Sequence, residues 1–170
     1  MIFLLFGEMG VGKNYVGKRL AHKLDCPFFD GDLAMPKEMK ERVRKFKSLT
    51  NSMLTDFVEN NLIPAIISNA NPIKHKHLVV GQALYKREHR KEIRRRFGRT
   101  MFIHVVAPSF RVHMARIMTR PHGFRWAAYC VASKLFFERP GNSTYIINDI
   151  DYNIDRQINK FIINRAGVIK

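Results

Sequence analysis

The chain has 170 residues, 46% hydrophobic and 26% charged, which suits one ordinary domain with its own core and excludes a disordered basic tail. Thirty lysines and arginines against 14 acids give a formal net charge of +16, which favours phosphates, nucleic acids and acidic surfaces over basic partners. Cys26 and Cys130 form neither a metal-ligand spacing nor a disulfide framework, so a reducing cytosol is expected.

In chain order, residues 2–6 form a short apolar run ending at Gly7. It lacks the length and basic lead-in of a signal peptide and reads as the central strand of a parallel sheet. No stretch approaches the roughly 20 apolar residues of a membrane span, so a cytoplasmic protein is expected. From Lys13, the residues Val16, Leu20, Ala21 and Leu24 fall at helical spacing until Pro27, and Phe28-Phe29 begins a second strand. Residues 36–47 read as a basic helix and 51–62 as another, capped by Asn51 or Ser52, with few apolar anchors between them. Pro64, Asn71, Pro72 and the cluster Lys74-His75-Lys76-His77 punctuate a connection. Leu78-Val79-Val80 is the third strand, preferred over 63–67 because Pro64 interrupts that run.

Residues 85–97 form a Lys- and Arg-dense helix, 101–106 a clear strand, and 110–119 a further helix. A loop over Arg120-Pro121-His122-Gly123-Phe124 leads to a helix ending before Pro140, then a strand at 145–147 and a closing helix at 152–163. This alternation predicts a single α/β domain over 1–170, doubly wound around five parallel strands.

The segment Gly7-Glu8-Met9-Gly10-Val11-Gly12-Lys13-Asn14 has the G-x-x-x-x-G-K spacing of a P-loop, placed between a predicted strand and helix. Glycines allow backbone N–H groups to turn toward phosphate oxygens, the helix N-terminus adds positive charge, and Lys13 can reach the β- and γ-phosphates. Gly7, Gly10, Val11, Gly12, Lys13, Asn14 and Tyr15 are the expected nucleotide contacts. Asn14 occupies the place of the usual Ser or Thr, and would offer Mg²⁺ an amide oxygen where a hydroxyl is customary.

The chain resembles small P-loop kinases of the gluconate kinase type, close relatives of shikimate kinases, at four ordered anchors. The P-loop is followed by Asp30-Gly31-Asp32, similar to F-x-D-G-D. Ala83-Leu84 with Lys86-Arg87-Glu88-His89-Arg90 is similar to S-A-L-K-R-x-Y-R, with Tyr85 inserted. Arg116-Ile117-Met118-Thr119-Arg120 is similar to R-L-A-A-R, and Asn148-Asp149-Ile150-Asp151 to the D-V-D before the last helix. The resemblance implies the P-loop NTPase fold of nucleoside-monophosphate kinases, with sheet order 2-3-1-4-5 and a lid at about 120–128.

By that resemblance ATP and Mg²⁺ are the expected cofactors, and an anionic, hydroxylated metabolite the expected acceptor. Lys13, Asp30 and Arg120 would be catalytic, with Asn14 and Asp30 holding the metal and Asp32 binding the acceptor hydroxyl. Arg116 would stack on adenine, Tyr152 would stand in for the family's adenine-packing proline, and Lys86, Arg87 and Arg90 would contact the acceptor. The family's D-R-x-P-W-L acceptor segment has no counterpart, since Leu49-Thr50-Asn51-Ser52-Met53-Leu54 offers neither Arg nor Trp, and G-H-F appears as His122-Gly123-Phe124. Gluconate itself is therefore disfavoured. The expectations are a kinase of small hydroxylated molecules or a degenerate kinase fold that binds nucleotide or a polyanion such as RNA through residues 86–99. His75, His77 and His122 read as solvated, and Phe136-Phe137 as core.

Overall fold

The computed structural model describes residues 1–71, 73–138, 140–141 and 144–163, with side chains as far as residue 160. Five strands, β1 (Ile2–Phe6), β2 (Phe28–Asp30), β3 (Leu78–Gly81), β4 (Thr100–Val106) and β5 (Thr144–Ile147), form one sheet in the order β2-β3-β1-β4-β5. Every pair is parallel, with Ile2 opposite Leu78 on one side and Thr100 on the other. β1 is buried throughout because layers cover both faces. Ile2, Leu4 and Phe6 pack with Phe57, Leu62, Ile66 and Ile93, whereas Phe3 and Leu5 pack with Val16, Leu20, Ile146 and Ile154.

The helices are α1 (Lys13–Lys23), α2 (Lys37–Arg44), α3 (Asn51–Asp56), α4 (Ile63–Asn69), α5 (Arg87–Phe97), α6 (Phe110–Met118), α7 (Gly123–Lys134) and α8 (Asp151–Gln157). Wide turns over Phe57–Leu62 join α3 to α4, so the helix expected to stop at 62 continues to Asn69. Pro64 falls in the first turn of α4, where its missing N–H is tolerated, and the run 63–67 is helix. The apolar stripe Phe57, Val58, Leu62, Ile63 and Ile66 crosses the expected boundary, and with Met39 supplies anchors that the shorter helices lacked. The α3 cap is Thr50, whose Oγ1 accepts the Met53 N–H at 3.2 Å, in place of Asn51 or Ser52.

α5 starts at Arg87 because Lys86 is extended. The expected lid at 120–128 is largely the first half of α7, and Phe136 is exposed while Phe137 packs on the core. A short 3₁₀ turn, Gly31–Ala34, follows β2. Among the described residues no helix is long and apolar enough to cross a membrane. The carboxyl ends of β1, β2 and β3 open onto one cleft, the usual position for a ligand in this class of sheet.

Candidate active site

The turn from β1 into α1 presents its carbonyls to side chains. Lys13 Nζ donates to the carbonyls of Gly7 at 3.2 Å and Glu8 at 2.9 Å. His113 on α6 meets the Met9 carbonyl at 2.7 Å, so its proton is on Nε2, and Cys130 on α7 approaches the same oxygen at 3.6 Å. Asn148, after β5, donates from Nδ2 to the Val11 carbonyl at 2.7 Å. Fixing these acceptors leaves the loop's N–H groups for an anion. Two glycines are sterically required: a Cβ at Gly7 would strike the Val105 carbonyl, and one at Gly12, where φ is +89°, would strike Asn148 Nδ2.

Burial pushes the Lys13 ammonium below its ordinary pKa, Arg120 adds to that, and Asp32 and Asp30 pull it back. Asp32, in the 3₁₀ turn, is raised above the usual carboxylate range by desolvation, with Lys13 opposing the shift. Its N–H donates to Asp30 Oδ1 at 3.1 Å. The other oxygen of Asp30 accepts from Asn14 Nδ2 at 2.5 Å. Asn14 Oδ1 is directed toward Gly81, 3.0 Å from where a Cβ would stand. Asn14 therefore steadies Asp30 in this arrangement, with its amide oxygen turned toward Gly81. The Asp30 carboxylate does fit magnesium, which keeps several waters and takes its remaining ligands from phosphates.

The cleft has a volume of about 250 Å³, and Lys13, Asn14, Asp32 and Arg120 line it. Arg116 is half-buried on α6, its Nη1 enclosed without an acceptor, one residue before Ile117, which packs on Gly10. Tyr15 and Tyr152 lie outside the cleft lining. The Tyr15 hydroxyl donates to Asp151, in a clasp completed by Arg19 to Asp155 at 2.7 Å, and Tyr152 is exposed in the first turn of α8.

Arg87 and Arg90 do not line the cleft, and Lys86 lines the adjoining cavity that shares Leu49, Leu54, Tyr85 and Tyr129 with it. Lys86 pairs with Glu138 at 3.2 Å, and the Arg87 N–H donates to the same carboxylate at 2.7 Å. Arg90 is buried over the Phe6 ring and donates to the carbonyls of Leu84 at 2.5 Å and Glu138 at 2.8 Å. The spacing of these residues was visible in the sequence, but their common partner Glu138, about 50 positions away, was not.

Four residues at the site, Asn148, His113, Cys130 and Gln82, carried little sequence signal. Asn148 lay within a resemblance anchor without an assigned role. His113 and Cys130 approach Glu8, whose carboxylate pairs with Lys134 at 3.2 Å, and together they brace the loop from α6 and α7. Gln82, just after β3, is 2% exposed and lines the cleft.

A parallel 2-3-1-4-5 sheet with a Gly-rich loop and lysine between its central strand and first helix defines a small P-loop kinase. The family model for shikimate kinase matches residues 9–125, and the chain belongs to the shikimate kinase family. A curated shikimate kinase from Macrococcus caseolyticus (strain JCSC5402) is 33% identical over 86 residues, 43% of this chain and 51% of that protein. The chain thus spans about half the length of that relative.

Among solved structures, a gluconokinase from Sinorhizobium meliloti 1021 superposes with a TM-score of 0.76 at 19% identity, covering 97% of this chain and 95% of the other. A sugar kinase from Janibacter sp. HTCC2649 gives 0.75 at 17% identity, covering 99% and 98%. Chaetomium thermophilum Kti12, in complex with ADP-AlF3, gives 0.67 at 10% identity over the full length of both chains. These likenesses establish the fold.

Proposed function

We propose that this chain is an ATP-dependent kinase that transfers the γ-phosphate to a hydroxyl of a small molecule. One observation carries the reading: a loop whose outward carbonyls are held by Lys13, His113 and Asn148 opens onto a cleft that also contains Asp32 and Arg120.

The inward N–H groups and the α1 N-terminus would bind the phosphates of ATP. The acceptor oxygen attacks the γ-phosphorus in line, the bond to the bridging oxygen of ADP breaks, and the hydroxyl proton passes to Asp32. The raised pKa makes the Asp32 carboxylate a stronger base than an ordinary one. Lys13 and Arg120 offset charge that spreads over the transferring oxygens, an effect of position and electrostatics. Asp30 would hold Mg²⁺ through water, and the bound ion would neutralise β- and γ-oxygens.

Calorimetric titration of MgATP into wild type and Lys13→Ala tests the reading. Saturable binding lost in the variant supports it, and equal binding by both proteins removes it. Exposed Lys91, Arg96 and Arg99 on and after α5 favour polyanion binding as a second reading. RNA affinity that falls steeply with salt and survives Lys13→Ala is its expected signature.

A further inference from the structure

The outer face of α7 is apolar and uncovered. At about 3.6 residues per turn, Phe124, Ala128, Val131 and Leu135 fall within about 60° of one another around the helix, and the capping residue Leu135 keeps helical φ and ψ. The opposite side carries buried Cys130 and the Trp126 ring, which meets Phe46 at 4.8 Å. Phe124 is 77% exposed, Val131 47% and Leu135 86%. Helices of folded domains turn such a stripe toward the core, and one left in solvent marks an interaction surface. Phe110, 58% exposed at the start of α6, extends the patch, because Lys134 of α7 lies over its ring at 4.9 Å.

The charges beside the stripe are of one sign. Residues 107–137, which include α6 and α7, contain five lysines and arginines and no aspartate or glutamate. Of the five, Lys134 is spent on Glu8 at 3.2 Å, whereas Arg125 stands on the other flank of the stripe with its guanidinium over the Phe46 ring at 5.7 Å. A groove of about 670 Å³ opens there between α7 and the end of α2, lined by Arg44, Lys45, Phe46, Arg125 and Ala128 among others, and by no acid. Arg44 and Lys45 are exposed, and among the described residues neither makes an ion pair. Ala128 belongs to both the stripe and the groove, so the apolar strip and the cationic groove are contiguous.

An apolar stripe bordered by unpaired cations suits a helix that lies in the plane of an anionic lipid surface, with its apolar side chains among the acyl chains and its cations at the phosphates. A second copy of the chain would bring the same +16 charge to the contact. A single-stranded nucleic acid would meet the cations, but its bases stack on aromatic rings and gain nothing from aliphatic Val131 and Leu135. We propose that the chain docks on anionic membranes through the outer face of α7. Phe110, Phe124, Val131 and Leu135 enter the acyl boundary, and lipid phosphates occupy the groove of Arg44, Lys45 and Arg125. Tyr129 lines both this groove and the P-loop cleft, so the docked face adjoins the cleft.

The test is flotation of the full chain with vesicles of phosphatidylcholine alone and of phosphatidylcholine mixed with phosphatidylglycerol. Binding is read without nucleotide, so its outcome is independent of catalysis. The expected affinity is about a hundredfold higher for the mixed vesicles. The double variant Phe124→Ser/Leu135→Ser should keep the wild-type melting curve, because both side chains face solvent, and should bind the mixed vesicles about tenfold or more weakly. Arg44→Gln/Lys45→Gln should cut the preference for anionic vesicles about tenfold, whereas Lys91→Gln/Arg96→Gln on α5, with the same loss of charge, should change it by no more than about twofold.

Absence of binding to the mixed vesicles overturns the proposal, as does equal binding to both kinds. Unchanged binding by Phe124→Ser/Leu135→Ser overturns it too, since adsorption is then a matter of charge alone. An equal loss in the α5 and α2 variants assigns binding to the net charge of the chain and removes the groove. A dimer seen by sedimentation in wild type and lost in Phe124→Ser/Leu135→Ser gives the stripe to a second copy, and the membrane assignment fails.

Discussion

The P-loop end of the cleft and its apolar end are built in opposite ways. The first comes from eight consecutive residues, Gly7 to Asn14, whose spacing is visible in one line of sequence. The second collects Met39 from α2, Leu54 from α3, Phe57 from the turns after it, Gln82 from the end of β3 and Tyr129 from α7. Phosphate is the same ligand in every such enzyme, so a contiguous backbone device suffices. An acceptor differs from enzyme to enzyme and is met by side chains that converge from distant elements.

The sharpest way to break the comparison is Lys13→Ala. Loss of its contribution to transition-state charge is expected to lower kcat/KM by about a thousandfold, read by coupled ADP release, with an unchanged fold by circular dichroism. If turnover survives, the phosphate end is not where the chemistry lies.

Arg90→Met tests the opposite claim, that a family-like arginine outside the cleft is structural. It strands the buried carbonyls of Leu84 and Glu138, so thermal unfolding should show a loss of about 2–4 kcal/mol. Kinetic constants for an accepted substrate should stay near wild type in the folded protein. Lys86→Ala, which removes a partly exposed pair with Glu138, should cost less than about 1 kcal/mol and leave KM unchanged.

The smallest effect belongs to acid stability. His104 on β4 stacks on both Phe6 and Phe137, with ring centroids 5.1 and 5.3 Å away, and burial, reinforced by Arg90 and Lys13, lowers its pKa from 6.5 to about 4. The unfolded chain therefore takes up a proton before the folded one does. Stability is kept above pH 6.5 and falls as pH drops toward 4. His104→Phe should flatten that decline in melting temperature, leaving the part due to His77 and His89, whose pKa values are also lowered by burial.

The two ends also differ in how legible they were. Local signals placed the strands to within one or two residues, because an apolar run between turn residues constrains a short strand closely. The boundary at Leu62 was missed for a physical reason: the apolar stripe continues through Ile63 and Ile66, and Pro64 falls in a turn where its missing N–H is tolerated. At the site, Asn14 and Asp30 were both singled out, yet their mutual hydrogen bond depends on α1 packing beside β2. Arg90 was given to the acceptor because it falls at the resembling motif, and its contacts with the Leu84 and Glu138 carbonyls turn it inward.

What the sequence alone determined is the parallel α/β sheet, the phosphate loop and the paired acids after β2. Each is specified by residues close enough along the chain for spacing to dictate geometry. Tertiary structure decided which charges remain at the cleft, which are spent on Glu138 and backbone carbonyls, and that buried Gln82 is brought beside Asp32. Those outcomes follow from contacts between residues tens of positions apart, where burial selects the partner and local pattern carries no information about it.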